Sequence, residues 1–121
     1  MTKQEFIEFC SSISNALVDQ PFENDFSTYA ARHLQSRKWF ALIMDLHGKT
    51  VVNLKCEPMS AEFYRKVYKG VIPAYHMNKR LWNTVYLQSD VPDRVIMQMT
   101  EDSFKLTSKG KCDKRLKNNE N

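Results

Sequence analysis

The residues best suited to chemistry crowd into one stretch, Gly70 to Val85, reading GVIPAYHMNKRLWNTV. Lys79 and Arg80 are adjacent cations, and each can contact a phosphate, the arginine through two parallel N–H bonds. Tyr75 and Trp82 can stack on nucleobases, worth ~1–3 kcal/mol per base at a good site. Asn78 and Asn83 can meet a ligand or hold the loop by bonding backbone groups. His76 has the ordinary imidazole affinity for a proton near neutrality, but a general base needs an orienting partner and a nucleophile within reach. Asp45 and Glu57 are the acids available, and neither has motif spacing to His76. The stretch therefore points to binding rather than to a reaction. His33, His47 and His76 are scattered without an H-x-x-x-H pair, so neither a metal nor another cofactor is expected.

Each of these residues also has a plainer role. Trp82, at the start of an apolar run, reads first as core and second as a ligand contact, and Asn83 reads first as a loop tie. For Lys79 and Arg80 the order reverses, because a surface loop has no packing use for two adjacent cations.

Charge is distributed unevenly. Residues 32–89 hold ten bases against Asp45, Glu57 and Glu62, net +7, while residues 1–31 are net −4. Residues 90–104 are net −3 and residues 105–121 net +4. A positive middle attracts anionic partners. Arg37, Lys38 and Lys49 flank expected hairpin turns, where cations can form basic wings. The expectation is that these cations converge with Lys79 and Arg80 on one electropositive platform.

With 121 residues, 42% hydrophobic and 26% charged, the chain has room for one domain with a core of its own. Three well-separated cysteines, Cys10, Cys56 and Cys112, form no C-x-x-C pair and no even disulfide set, which fits reduced thiols in the cytosol. The N-terminal stretch is amphipathic rather than a signal-like apolar run. No segment has the ~18 apolar residues of a membrane span.

These candidate residues need elements to position them. Thr2-Lys3-Gln4-Glu5 is a capping box, and Phe6, Phe9, Cys10, Ile13 and Leu17 recur at helical steps, so a helix is expected over 3–18. Strands are expected over 27–34, 38–46 and 50–56, the last two joined by His47-Gly48-Lys49. In the third strand, Val52, Leu54 and Cys56 take one side, and Val51, Asn53 and Lys55 the other. Ser60 is placed as the cap of a helix reaching about Lys69, with Phe63, Tyr64, Val67 and Tyr68 buried and Gly70 closing it. Residues 71–80 look irregular. A strand follows over 81–87, then a helix over about 92–108 with Val95, Ile96 and Met99 inward. The pattern predicts an α+β two-layer sandwich in the order α-β-β-β-α-β(β)-α, its antiparallel sheet covered by helices on one face. The domain spans 1–108, and 109–121 is a basic tail.

The runs KCEP (Lys55–Pro58), YKGVIPAYHMNKRLWNTV (Tyr68–Val85), VPD (Val91–Asp93) and SFKL (Ser103–Leu106) together resemble the MmcQ/YjbR family, as does KWFALI (Lys38–Ile43). The resemblance covers roughly residues 1–108. It implies a compact fold like that of secretion chaperones and bacterial frataxin, and a DNA-binding role through sheet-borne wings, with no enzymatic activity attached. Leu81 stands where the family generally has a second histidine, which weakens any role requiring a histidine pair. The resulting expectation is a non-enzymatic, mostly sequence-independent binder of nucleic acid, DNA ahead of RNA. The contacts expected are Arg37, Lys38, Lys49, Tyr75, His76, Asn78, Lys79, Arg80 and Trp82. The alternatives are a protein- or peptide-binding adaptor using the open sheet face, and a small-molecule site around Tyr75, His76, Asn78 and Trp82.

Overall fold

A computed structural model describes residues 1–74 and 77–108. In chain order the elements are α1 (Lys3–Ser12), β1 (Ala16–Asp19), β2 (Tyr29–His33), β3 (Trp39–Leu46) and β4 (Lys49–Lys55). After them come α2 (Pro58–Val67), β5 (Val71–Pro73), β6 (Trp82–Tyr86) and α3 (Asp93–Ser108). The six strands form one sheet in the order β1-β2-β3-β4-β6-β5, antiparallel at every pairing. The fold is α+β, as the pattern of the sequence predicts.

The capping box forms as expected: the Glu5 amide donates to Thr2 Oγ1 at 3.1 Å, and the Thr2 amide donates to Glu5 Oε1 at 2.8 Å. The helix it starts ends at Ser12 rather than 18. Asn15 takes a φ of 67°, a left-handed conformation that Asn tolerates and a helix does not. The chain then reverses, and Ala16–Asp19 becomes an edge strand paired with β2. Ile13 and Leu17 fit a helical stripe, but sheet pairing at the edge overrides that local pattern.

Between β3 and β4 the register Leu46↔Lys49 leaves a two-residue turn, His47-Gly48, with φ of 53° and 78°. Positive φ at both central residues suits the right-handed twist of a hairpin. A bulge interrupts β2–β3, where Ala31 pairs with Ala41 but Arg32 with Trp39. The extra residue, Phe40, points into the core, its ring edge-on to Phe104 of α3 at 5.0 Å.

The helices share one side of the sheet. Phe6 and Cys10 of α1, Ala61 of α2, and Ile96 and Met99 of α3 pack with Ala31, Ala41, Ile43, Val52, Leu54 and Val85. On the other side, cross-strand rows run Met44–Val51–Tyr86 and Leu42–Asn53–Thr84. Asn53 and Thr84 are buried there, and the Thr84 hydroxyl donates to Asn53 Oδ1.

The start of α2 also departs from expectation. Glu57 is the N-cap and Pro58 the first helical residue, because proline already has the φ a first turn needs and no N–H to lose. Phe63 and Val67, expected in the core, are 59% and 50% exposed; the helix turns Ala61 to the sheet instead. Gly70 does not close the helix in a left-handed conformation. Glycine is required there because a Cβ would run into the Ser89 side chain.

Candidate functional site

At the end of the sheet where β3 begins and β4 ends, three neighbouring strands present a row of side chains. Lys55 pairs with Trp82. Trp39 lies on the same side, since it pairs with Arg32 and carries that guanidinium 5.8 Å from its ring centroid. Strands lie ~4.8 Å apart, so the two tryptophans stem from backbones roughly 10 Å apart with Lys55 between them. A cleft of about 330 Å³ is lined there by Lys38, Trp39, Lys55, Trp82, Leu106 and Thr107.

The row is anchored from behind. Ser103 of α3 donates to the Phe40 carbonyl at 2.6 Å and accepts from the Lys55 amide at 2.9 Å, tying the helix to both strands. Phe22 meets the Trp39 ring edge-on at 6.2 Å, which limits its rotation. Arg32 is held by Asp19 at 2.9 Å, so its charge is already matched. His33 lies behind the cleft, its Nε2 2.7 Å from Thr107 Oγ1 and its ring 4.1 Å from that of Phe104. Burial, assisted by nearby Lys38, holds its pKa below the usual 6.5, against a backbone contact to Phe104 that raises it.

The segment leading into β6 is tied from α2. Arg65 Nε donates to Asn83 Oδ1 at 2.7 Å, and Nη2 donates to the Lys79 carbonyl. Asn83 is fully buried and donates in turn to the Ala61 carbonyl at 3.3 Å. Asn78 shapes the turn: its Oδ1 accepts from the Arg80 amide at 2.9 Å, and its carbonyl from the amides of Leu81 and Trp82. These bonds fix the backbone while leaving the Lys79 and Arg80 side chains exposed.

The cations expected to form one platform divide between two ends of the sheet. Arg37, exposed with a φ of 67°, Lys38, Lys79 and Arg80 lie at the tryptophan end. Lys49 lies at the other, beyond the whole of β3, roughly 24 Å away along a strand rising ~3.4 Å per residue. There it lines a broad depression with His47, Lys69, Tyr86 and Asp90. The Asp90 carboxylate accepts from the Lys69 and Gly70 amides, both at 2.8 Å, which lowers its pKa. Among the described residues the ion pairs are Met1–Asp93, Lys3–Asp45 and Arg32–Asp19. None of Arg37, Lys38, Lys49, Lys55, Lys79 and Arg80 takes part. Tyr75, His76 and the segment 109–121 lie outside the described residues. No group of three His, Cys, Asp or Glu among the described residues is arranged to hold a metal.

Asn78 and Asn83 have the loop-shaping roles available to them, and Trp82 is half-buried at the cleft. Trp39, Lys55 and Arg65 were missed as site residues. Alternation over residues 50–56 sets Lys55 on one side with Val51 and Asn53, and that was the available signal. Arg65, eighteen residues from Asn83, left none. Cys10 and Cys56 are buried free thiols, and desolvation pushes their pKa values up to about 12 and about 11.

A six-stranded antiparallel sheet with three helices on one side and a basic cleft at one end defines a small α+β sheet domain. The YjbR family model matches residues 12–106, and the chain belongs to that family. It is 30% identical over 118 residues to the uncharacterised protein YyaQ of Bacillus subtilis, covering 88% of this chain and 98% of that one. It is 31% identical over 104 residues to YjbR of Escherichia coli, covering 86% and 85%. A solved Pseudomonas syringae structure superposes with a TM-score of 0.82 at 34% identity, over 88% of this chain and 99% of that one. A Deinococcus radiodurans structure gives 0.78 at 26% identity, over 90% and 80%. Among the described residues no helix is long and apolar enough to cross a membrane.

Proposed function

We propose that the chain binds nucleic acid without strong sequence preference, through the Trp39–Lys55–Trp82 row and the flanking cations Lys38, Lys79 and Arg80. One observation carries this reading: both tryptophans of the chain line a single cleft together with two lysines that form no ion pair among the described residues. Indole rings stack on any base, and unpaired cations meet the phosphates between bases. Stacking requires splayed bases, so a single strand is the form that fits, with DNA the first ligand to test and RNA the second. The chain continues from Ser108, next to the cleft residue Thr107, into a segment with five further lysines and arginines. Reduced thiols in the core suit the cytosol.

The adaptor reading has less support. The central rows of the helix-free sheet side are closed by Leu42, Val51, Asn53 and Thr84, all buried, and offer a peptide no exposed apolar strip.

The test is direct, because the only two tryptophans sit at the cleft. Titrating the protein with an oligothymidylate at low salt should quench and shift its intrinsic fluorescence, in step with anisotropy of a labelled strand. Affinity should fall log-linearly with salt, with a slope near −0.7 per phosphate engaged. Absence of binding to DNA or RNA at tens of micromolar protein removes the proposal.

A further inference from the structure

Between α2 and α3 lies a pocket of about 290 Å³ whose lining grades from apolar to charged. Met99 and Cys56, 0% and 5% exposed, bring a thioether and a thiol to its inner end. Half-buried Tyr64 of α2, with Asp102 and Leu106 of α3, forms the walls, and exposed Glu57 and Lys105 stand at the rim. The Asp102 carboxylate accepts from Gln98 Nε2 at 3.0 Å. Among the described residues, neither it nor Glu57 nor Lys105 forms an ion pair. Burial, and after it the charge of Asp102, raises the pKa of the Tyr64 hydroxyl and pushes the Cys56 thiol up to about 11, with Arg65 opposing at the thiol. The potential that holds protons on these two groups favours a cation placed among them. The inner end selects differently, since sulfur makes favourable contacts with aromatic rings. A cavity of ~150 Å³ already admits benzene, so this one has room for a ring and a short stem.

We propose that this pocket binds a small aromatic primary amine, with its ring on Met99 and Cys56 and its ammonium on Asp102. Glu57 adds attraction at the rim. Two carboxylates against one lysine leave the lining net negative, so the amine is preferred over the corresponding acid. The Tyr64 ring beside the carboxylate offers the ammonium a second favourable surface. Few polar groups converging on a mostly enclosed apolar space is the usual make-up of a small-molecule site. Its occupancy does not depend on nucleic-acid binding.

Phenethylamine is the probe, titrated into the full chain to ~10 mM. It should bind with a Kd of roughly 1 mM, read as saturable shifts of the amides around Cys56, Tyr64 and Asp102 in heteronuclear NMR spectra. It should also slow alkylation of Cys56 by iodoacetamide severalfold while leaving Cys10 unchanged. The matching alcohol and acid, phenethyl alcohol and phenylacetate, should bind at least about tenfold more weakly. So should phenethylamine itself to Asp102→Asn, which keeps the side-chain shape and loses the charge; a thermal melt checks that this variant is folded. Absence of saturable shifts, an alcohol or acid that binds as tightly as the amine, or undiminished affinity in folded Asp102→Asn overturns the proposal. So does an alkylation rate at Cys56 that the amine leaves unchanged.

Discussion

Both ends of the sheet are basic, yet they differ in what surrounds the charge. At the turn between β3 and β4, His47, Lys49 and Lys69 share a depression with the Asp90 carboxylate. At the opposite end, Lys38 and Lys55 line a cleft with two indoles, and the backbone of the neighbouring loop is tied by a part-buried arginine–asparagine bond. Two lysines thus stand at one end beside a carboxylate and the Tyr86 ring, and two at the other beside a pair of indoles with no acid in the cleft lining. Long-range charge steers a polyanion to a protein; the groups beside it decide where it stays.

The largest expected effect separates the two ends. Trp82→Ala and Trp39→Ala should each weaken binding to a single strand roughly tenfold or more, with thermal melts checking that the fold survives. Lys49→Ala combined with Lys69→Ala should change affinity less than about twofold at moderate salt, where distant exposed charges are screened. Equal losses from both pairs would erase the distinction. Next comes Arg65→Lys, which keeps the charge but cannot span both Asn83 and the Lys79 carbonyl. It should lower affinity roughly three- to tenfold, and its effect should shrink in a Lys79→Ala, Arg80→Ala background, as expected of coupled residues. Additive losses would show that Arg65 touches the ligand itself. Lys79→Ala and Arg80→Ala, taken singly, should each reduce the salt slope by about 0.7.

The smallest effect concerns pH. His33 has a depressed pKa in the folded chain, so the unfolded chain takes up the proton first on acidification. Its contribution to stability is complete above pH 6.5 and is lost as pH falls from there through the lower folded value. The melting temperature should drop across that window in the wild type but stay flatter in His33→Gln. Asp25 should act later. Held at about 2 from its usual 3.8 by bonds from Thr28 and Ser27, its contribution disappears only between those two values.

The fold was legible where pattern and packing agree. Alternation in residues 50–56 and periodicity in residues 92–108 placed β4 and α3 within one or two residues. Legibility failed where a non-local partner decides. Ala16–Asp19 looks helical by spacing and becomes a strand only because β2 is there to pair with it. Phe63 and Val67 look like core because apolar residues usually are, and nothing local says which side of α2 meets the sheet. The site was half-readable for the same reason. Lys38, Lys79, Arg80 and Trp82 stood out by composition. Lys55 and Trp39 gain meaning only when register sets three strands side by side. Arg37 and Lys38 differ from Lys49 only by which end of a hairpin they occupy, and linear charge counting does not see that difference.

The two hidden thiols give the molecule a pair of internal clocks. Cys10 faces inward from the first helix with no exposed surface, while Cys56, just ahead of the second, is 5% exposed on the wall of a cleft, so a maleimide reaches the first only while the protein has opened nearby and the second without so large an opening. Mass spectrometry of the two labelled peptides over time would set opening around the first helix against access at the second sulfur, without altering a single residue.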